Sequence, residues 1–270
     1  MFKTSMAITP AAAKFAPLLF AGDWRAGLQA AVEFGYDAVE VSLRDPREQV
    51  VRDLLDAIED SGLGLSAIAT GQSYYNDGLS PTSSEPAVQA ELLERMKHFV
   101  TYAAQYDGAC VIIGGVRGTF EGSEEERAAQ HRNAIQAIRS YAHHAETAGV
   151  RLAIEPINRY ETSFLNTVAE ALSFIEDVGA GNLGVLADTF HMNIEESSPA
   201  DALESAGERL FYVHLPDSNR LAAGQGHIDF HDLAAVLRKI GYDGYLGAEI
   251  LPLPDSRTAA QLAMDFFRTL

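Results

Sequence analysis

The sequence predicts an α/β fold, a closed (β/α)8 barrel made by a single domain over residues 1–270. Three observations favour this architecture. Short apolar runs alternate with longer stretches of helical period, eight such pairs follow one another, and no linker-like segment separates them. A chain of this length can also fill the core of one large barrel.

The strand predictions rest on runs of small and branched apolar residues. In a parallel sheet covered by helices both faces of a strand are buried, so such runs need not alternate with polar residues. We place strands at residues 3–8, 37–42, 64–70, 109–114, 150–155, 183–188, 210–215 and 245–250.

Between the strands, apolar residues recur at helical spacing. In the third helix Leu92, Met96 and Phe99 fall on one face. Several helices end at a glycine before the next strand, as at Gly35 and Gly241, because glycine accepts the left-handed conformation there. We place helices near residues 23–34, 47–61, 86–106, 124–148, 166–178, 199–207, 230–240 and 257–269.

Composition limits the partners. The formal net charge of −18 argues against nucleic acid, whose binding needs clustered lysine and arginine. The one cysteine, Cys110, lies in an apolar run and is interpreted as a small core residue. Residues 1–8 lack the pattern of a signal peptide and no apolar run reaches membrane-spanning length, so no membrane partner and a cytoplasmic location are expected.

Four strands end on a polar side chain that a buried strand does not ordinarily need. They are Leu152-Ala-Ile-Glu155, Gly184-Val-Leu-Ala-Asp188, Phe211-Tyr-Val-His214 and Leu246-Gly-Ala-Glu249. In the predicted barrel these are strands five to eight, so the four side chains form an arc at the mouth. The alternative is four unrelated residues that cap helices or bind loops.

Three carboxylates and one imidazole are a ligand set for one divalent cation. We expect Mn²⁺ first, with Mg²⁺, Co²⁺ and Zn²⁺ as alternatives, bound by Glu155, Asp188, His214 and Glu249. Long loops at residues 71–85, 158–166, 191–198 and 216–229 are predicted to surround this mouth.

Five motifs extend these strand ends. They are Glu155-Pro-Ile-Asn-Arg-Tyr-Glu161, Asp188-Thr-Phe-His-Met-Asn-Ile-Glu-Glu196, His214-Leu-Pro-Asp-Ser-Asn-Arg220, Gly224-Gln-Gly-His-Ile-Asp-Phe230 and Gly241-Tyr-Asp-Gly-Tyr-Leu-Gly-Ala-Glu249. With them the chain resembles the xylose-isomerase-like barrels that isomerise or epimerise sugars, and among these the ketose 3-epimerases of the D-tagatose and D-allulose (psicose) type. Residues 67–80 and 112–118 look more like a neighbouring branch that includes 5-keto-gluconate epimerases.

The resemblance implies that Glu155 and Glu249 are the catalytic acid/base pair as well as metal ligands. It also implies that Glu161, His191 and Arg220 hold the substrate. Three alternatives stay open: His191 could cap a helix or support a metal ligand, Arg220 could bind Asp217 or Asp229, and Glu161 could pair with Arg159.

Three further residues are placed at the mouth by the strand assignment. Gln72, Tyr74 and Arg117 are candidate specificity residues, and Arg117 could pair with a substrate carboxylate. Each could equally be an ordinary loop residue. After Glu249 the chain continues Ile-Leu-Pro-Leu-Pro, where the tagatose-type enzymes place an aromatic residue over the substrate.

The expected function is divalent-metal-dependent epimerisation or isomerisation of a keto sugar or keto-sugar acid, with C3 epimerisation through an ene-diolate favoured. A carboxylate on each face of the substrate would remove and return the proton. The alternatives are a hydroxypyruvate- or inosose-type isomerase or dehydratase, an apurinic-site endonuclease, and a non-catalytic sugar-binding barrel. A homodimer or homotetramer is the expected assembly.

Overall fold

A computed structural model describes residues 2–12 and 17–270, and its eight parallel strands close into a barrel in chain order. Each strand pairs with the next, and the first pairs with the last through the register of Met6 with Ala248. This confirms the predicted (β/α)8 barrel. The strands are β1 (Lys3–Ile8), β2 (Ala38–Ser42), β3 (Gly64–Ala69), β4 (Cys110–Ile113), β5 (Arg151–Ile154), β6 (Leu183–Asp188), β7 (Leu210–His214) and β8 (Tyr245–Ala248).

Helices follow every strand, and all eight helices expected from the sequence are present within a few residues of their predicted ends. The described residues contain the α-helices α1 (Trp24–Phe34), α2 (Gln49–Ser61), α3 (Gln72–Asp77), α4 (Pro86–Ala103), α5 (Glu124–Thr147), α6 (Val168–Val178), α7 (Thr189–Glu195), α8 (Pro199–Ala206), α9 (Phe230–Lys239) and α10 (Ser256–Phe267).

Two of these helices overlap segments that were predicted as loops: α3 lies within 71–85, and α7 begins at Thr189 and extends into 191–198. That part of the prediction was wrong because each helix has only six or seven residues, too few for an apolar period to be recognised. A local signal existed for α7, since the Asp188 side chain accepts hydrogen bonds from the first turn of the helix.

The inside of the barrel is filled mostly by small and aliphatic side chains. Cys110 is 2% exposed, and burial raises the pKa of its thiol to about 12, as expected of a core residue. Within residues 2–12 and 17–270, no helix combines the length and apolar character needed to cross a bilayer. The residues of this inner layer are Ala67, Ala69, Cys110, Ile112, Ala153, Leu186, Phe211 and Tyr212.

Candidate metal centre and substrate cavity

The structure brings the four strand-end residues together. One ligand atom from each of Glu155, Asp188, His214 and Glu249 lies within 4.8 Å of the corresponding atoms of the other three. The parallel register explains part of this, because Asp188 at the end of β6 stands directly beside His214 at the end of β7. The arc expected from strand order is therefore present as a compact group.

Asp188 divides its two carboxylate oxygens between two tasks. Oδ1 accepts hydrogen bonds from the backbone N–H groups of Phe190 at 2.8 Å and His191 at 3.2 Å, which caps α7. Oδ2 is buried and finds no hydrogen-bond partner among the described residues. Capping and metal ligation, considered as alternatives from the sequence, are thus compatible on this one side chain.

His214 is held by a residue that the sequence analysis did not identify. Its Nε2 lies 2.7 Å from Oε2 of Glu40, a fully buried carboxylate in the middle of β2. With the proton on Nε2 donated to Glu40, the lone pair of Nδ1 is free, and Nδ1 lies 3.6 Å from Oδ2 of Asp188. A glutamate inside the run Ala38-Val-Glu-Val-Ser42 was the available signal.

Two buried polar atoms, Oδ2 of Asp188 and Nδ1 of His214, thus lack partners in the described part of the chain and lie close together. Oε2 of Glu249 is 3.9 Å from the same Nδ1. Unpaired buried polar atoms are costly, and a shared cation would satisfy them. The donor set and its spacing fit one divalent metal ion.

Burial raises the pKa values of two carboxyls of this group, Glu155 and Glu249. Desolvation and then the negative charge of Glu249 raise the pKa of Glu155 well above its ordinary value. Burial likewise raises the pKa of Glu249 to about 7, although the charges of His214 and Arg220 oppose the change. These directions apply to carboxyls with no cation between them, and a bound divalent charge would lower both pKa values.

Three of the four residues, Glu155, His214 and Glu249, line a cavity of about 620 Å³ at the C-terminal mouth of the barrel. That volume suits a small organic ligand. The cavity is lined by Ala11, Ala12, Pro17, Leu18, Ser42, Arg44, Ala69, Thr70, Gly71, Gln72, Tyr75, Asn76, Ile112, Gly114, Gly115, Glu155, Ile157, Glu161, His191, His214, Arg220 and Glu249.

His191 faces this cavity from α7 and is almost fully buried. The amide nitrogen of Asn158 donates to its Nδ1 at 2.8 Å, which leaves the proton on Nε2, 3.9 Å from Oε1 of Glu155. Burial lowers the pKa of His191 to about 4, so the ring is neutral at neutral pH. It can therefore donate one hydrogen bond into the cavity.

Arg220 also faces the cavity, with its guanidinium 3.5 Å from both Glu161 and Glu249 and stacked over the ring of Phe190. The alternative of a side-chain pair with Asp217 or Asp229 was wrong. The Asp217 carboxylate instead accepts hydrogen bonds from backbone N–H groups of its own loop, including that of Gly224 at 2.9 Å. The loop is folded around Asp217, and the side chain of Arg220 faces the cavity instead.

Glu161 lies between two groups of the same region. Its Oε1 accepts from the Asn158 amide at 2.9 Å and lies 3.5 Å from Arg220. The alternative pair with Arg159 was also wrong, because Arg159 binds Glu195 at 2.7 Å. Asn158 thus contacts both His191 and Glu161, a bridging role that sequence reasoning missed.

The specificity candidates of the N-terminal half have different outcomes. Gln72 lines the cavity, and its amide nitrogen donates to Thr9 and to Ser42 at 2.8 and 3.0 Å. Tyr74 packs against the hydrophobic core, whereas its neighbour Tyr75 lines the cavity. Of these two tyrosines, only Tyr75 is among the residues that line the cavity.

The structure corrects the expectation for Arg117. This side chain is 1% exposed and does not line the cavity. Its guanidinium donates to the backbone carbonyls of Phe164 at 2.9 Å, Gly114 at 3.1 Å and Leu165 at 3.3 Å. Arg117 fastens the loop after β4 to the loop after β5, so it has no donor directed at a substrate carboxylate.

Comparison with known proteins places the chain among sugar-converting barrels. Residues 28–270 match the family described as Xylose isomerase-like TIM barrel. An L-ribulose 3-epimerase of Methylomonas sp. (strain DH-1) is 35% identical over 237 residues, covering 84% of this chain and 80% of that protein. A ketose 3-epimerase of Arthrobacter globiformis is 35% identical over 223 residues, covering 82% and 75%.

The fold agrees with solved structures of such relatives. The crystal structure of a D-allulose 3-epimerase from Methylomonas sp. in complex with D-allulose superposes with a TM-score of 0.80 at 25% identity, covering 100% of this chain and 98% of that one. These relatives are named epimerases, which confirms the expectation of an enzyme of the carbohydrate-epimerase kind. The chain belongs to the Xylose isomerase-like TIM barrel family.

Proposed function

We propose that this protein is a divalent-metal-dependent 3-epimerase of a neutral keto sugar. The observation that carries the proposal is the group of Glu155, Asp188, His214 and Glu249, whose ligand atoms lie within 4.8 Å of one another and three of whose members line a sugar-sized cavity. The names of the relatives at 35% identity support the same reaction class.

Glu155 and Glu249 are assigned as the proton-transfer pair. They come from β5 and β8, the two ends of the arc, and both line the cavity. One carboxylate removes the proton from the carbon beside the substrate carbonyl, and the other returns a proton to the opposite face. A bound divalent cation would polarise that carbonyl and offset the negative charge of the ene-diolate.

Three neighbouring side chains are assigned to holding the substrate. His191 offers the hydrogen on Nε2, Arg220 offers guanidinium donors, and Glu161 offers carboxylate oxygens that accept from sugar hydroxyls. Together they match the mixture of oxygen acceptors and hydroxyl donors on a keto sugar. Gln72 is assigned a supporting place in the wall, since its amide nitrogen is already hydrogen-bonded.

The charges of the described cavity favour a neutral sugar over a sugar acid or phosphate. Arg44 is paired with Asp77, and Arg220 lies between Glu161 and Glu249. The third arginine of the region, Arg117, is used by backbone carbonyls. An anionic substrate would bring further negative charge beside three glutamates of the cavity.

We propose Mn²⁺ as the working metal, with Mg²⁺, Co²⁺ and Zn²⁺ as substitutes. Three carboxylates and one imidazole suit cations that accept oxygen and nitrogen ligands in an open coordination sphere. Metal binding can be measured separately from turnover. Mn²⁺ is titrated into the chelator-treated protein, and the concentration of free Mn²⁺ is measured at each step.

The test is a substrate panel with purified protein. It contains neutral four- to six-carbon ketoses, keto-sugar acids, ketose phosphates, hydroxypyruvate and an inosose, each with chelator and with added Mn²⁺. We expect reversible interconversion of C3 epimers of a neutral ketose and incorporation of solvent deuterium at C3, both lost with chelator.

Other outcomes would contradict this proposal in different ways. Conversion of hydroxypyruvate or dehydration of the inosose alone would replace the reaction while keeping the metal chemistry. Binding of a ketose without any deuterium exchange would point to the non-catalytic barrel. Incision of an abasic duplex would revive the nuclease alternative.

A further inference from the structure

Tyr75 is an aromatic residue in the cavity wall to which the proposed proton transfer gives no task. It is presented by α3, lines the cavity and is 65% exposed. An exposed aromatic ring in the wall of a concave cavity is a typical ligand contact. Tyr74, the preceding residue of α3, packs against the hydrophobic core instead.

The ring of Tyr75 lies against two glycines. A Cβ atom added to Gly115 would lie 2.5 Å from Cε2 of the ring and 2.8 Å from its hydroxyl oxygen, and one added to Gly71 would lie 3.5 Å from Cε2. The ring can occupy this place only because residue 115 has no side chain. Gly115 therefore leaves the space that the ring of Tyr75 occupies.

The helix that carries Tyr75 is fastened from below by Arg95 of α4. This buried guanidinium donates to the backbone carbonyl of Arg44 at 2.9 Å and to the Asp77 carboxylate at 2.7 Å. Asp77 is the last residue of α3 and also binds Arg44. The helix that carries Tyr75 is thus anchored to its surroundings without a ligand, which lowers the entropic cost of a contact made by its ring.

Strand order shows which side of the barrel mouth carries Tyr75. The metal-binding group lies on β5 to β8, whereas α3 follows β3, which stands opposite β7 in the closed ring of eight strands. A ligand whose carbonyl end lies at Glu155 and Glu249 must extend its remaining carbons away from them. Tyr75, carried by α3, lines the cavity from the β3 and β4 side, where its ring lies against Gly115.

We propose that Tyr75 is a specificity-determining residue, whose ring packs against the C–H groups of the sugar carbons remote from the metal. The inference rests on the proposed function and deepens it by naming the preferred substrates. With the Tyr75 ring in place, five- and six-carbon ketoses should bind better than four-carbon ones. The electron-rich face of an aromatic ring attracts polarised C–H groups as well as excluding water from them.

The experiment compares Tyr75→Ala, Tyr75→Phe and Gly115→Ala on Mn²⁺-loaded protein. For a six-carbon ketose we expect Tyr75→Ala to raise KM and the calorimetric Kd about tenfold, while Tyr75→Phe stays within about twofold. For a four-carbon ketose Tyr75→Ala should change KM by less than about twofold. Tyr160→Ala, an 82% exposed tyrosine outside the cavity lining, is the matched control and should match the wild type.

Gly115→Ala tests whether sugar binding depends on the space that Gly115 leaves for the ring of Tyr75. Its added methyl should displace Tyr75 and raise KM for the six-carbon ketose, and combining it with Tyr75→Ala should raise KM no further. Mn²⁺ affinity and melting temperature should match the wild type in every variant. A loss of either that parallels the loss of sugar binding would show a structural role and overturn the inference.

The failures of the two proposals are distinguishable. If the wild type binds six-carbon ketoses without converting them, the proposed function fails and the Kd comparison still decides the role of Tyr75. If the wild type is active and Tyr75→Ala binds both sugar lengths normally, or Tyr75→Phe falls as far as Tyr75→Ala, the role of the ring is refuted. A wild type that neither binds nor converts ketoses overturns both.

Discussion

The two halves of the barrel mouth hold their functional side chains in different ways. In the half built on β5 to β8, four polar residues stand at or directly after strand ends and meet within 4.8 Å. In the half built on β2 to β4, the cavity is shaped by the inserted helix α3 and by two adjacent glycines. The first half thus places its polar side chains directly on strand ends, and the second forms its part of the cavity wall from a helix and a loop.

The largest expected effect is on the proton-transfer pair of the first half. Glu155→Gln and Glu249→Gln should each lower kcat by about 10²- to 10⁴-fold, because the amide cannot accept the substrate proton. Turnover is measured at saturating Mn²⁺, so that weaker ligation does not limit the rate. Normal kcat in either variant would refute the two-carboxylate assignment, and unchanged circular dichroism would show that the barrel remains folded.

The next effect crosses from one half to the other. Glu40 of β2 binds His214 of β7, so Glu40→Gln should weaken Mn²⁺ affinity by about 10- to 100-fold. Titration of free Mn²⁺ measures it directly. Glu59→Gln, on the exposed surface of α2, is the matched control and should bind the metal normally. Equal affinity in the two variants would mean that the halves are independent.

A smaller effect is expected where the halves touch at Gly114. An added Cβ there would collide with the carboxylate of Glu155, so Gly114→Ala should displace that carboxylate and lower kcat by about tenfold. Gly181→Ala is the control, since its Cβ would meet open space. Steady-state kinetics on both variants decide it, and a Gly114→Ala enzyme with wild-type kcat would show that Glu155 tolerates the shift.

The smallest effect concerns the ion pairs beneath α3. The hydrogen bonds from Arg47 lower the pKa of Asp45 from 3.8 to about 2. A lowered pKa stabilises the folded protein above pH 3.8, and this contribution disappears as the pH falls toward 2. Asp45→Asn should therefore lower the melting temperature by about 2–4 °C at neutral pH, because this partly exposed pair contributes about 1 kcal/mol.

The difference between Asp45→Asn and the wild type should narrow between pH 4 and pH 2, as followed by thermal melts. Asp60→Asn, on an exposed position of α2, should show no such convergence. A constant difference across this range would mean that Asp45 acts through its hydrogen bond to the loop backbone and not through its charge.

The same contrast explains how far the sequence could be interpreted. Glu155, Asp188, His214 and Glu249 were predictable because strand order alone brings neighbouring strand ends together. Their metal-binding and catalytic roles remain proposals.

Contacts between distant segments were not predictable in the same way. Glu40 meets His214 across 174 positions of sequence, and Asn158 meets His191 across 33. The assignment of Arg117 failed because a position in the loop after a strand does not reveal whether a side chain turns inward to the carbonyls of a neighbouring loop. Tyr74 was named as a candidate and Tyr75 was not considered, because α3 was taken as a loop, in which neighbouring side chains have no defined faces.

The glycine pair after β4 has a consequence for how new sugar preferences could arise. The space above residue 114 is occupied by the carboxylate of Glu155, and the space above residue 115 by the ring of Tyr75. If Glu155 transfers the proton and Tyr75 contacts the sugar, as proposed, a side chain at position 114 would change the reaction rate and one at position 115 would change the choice of ligand. Directed evolution of this scaffold should leave the first untouched and randomise the second together with position 75.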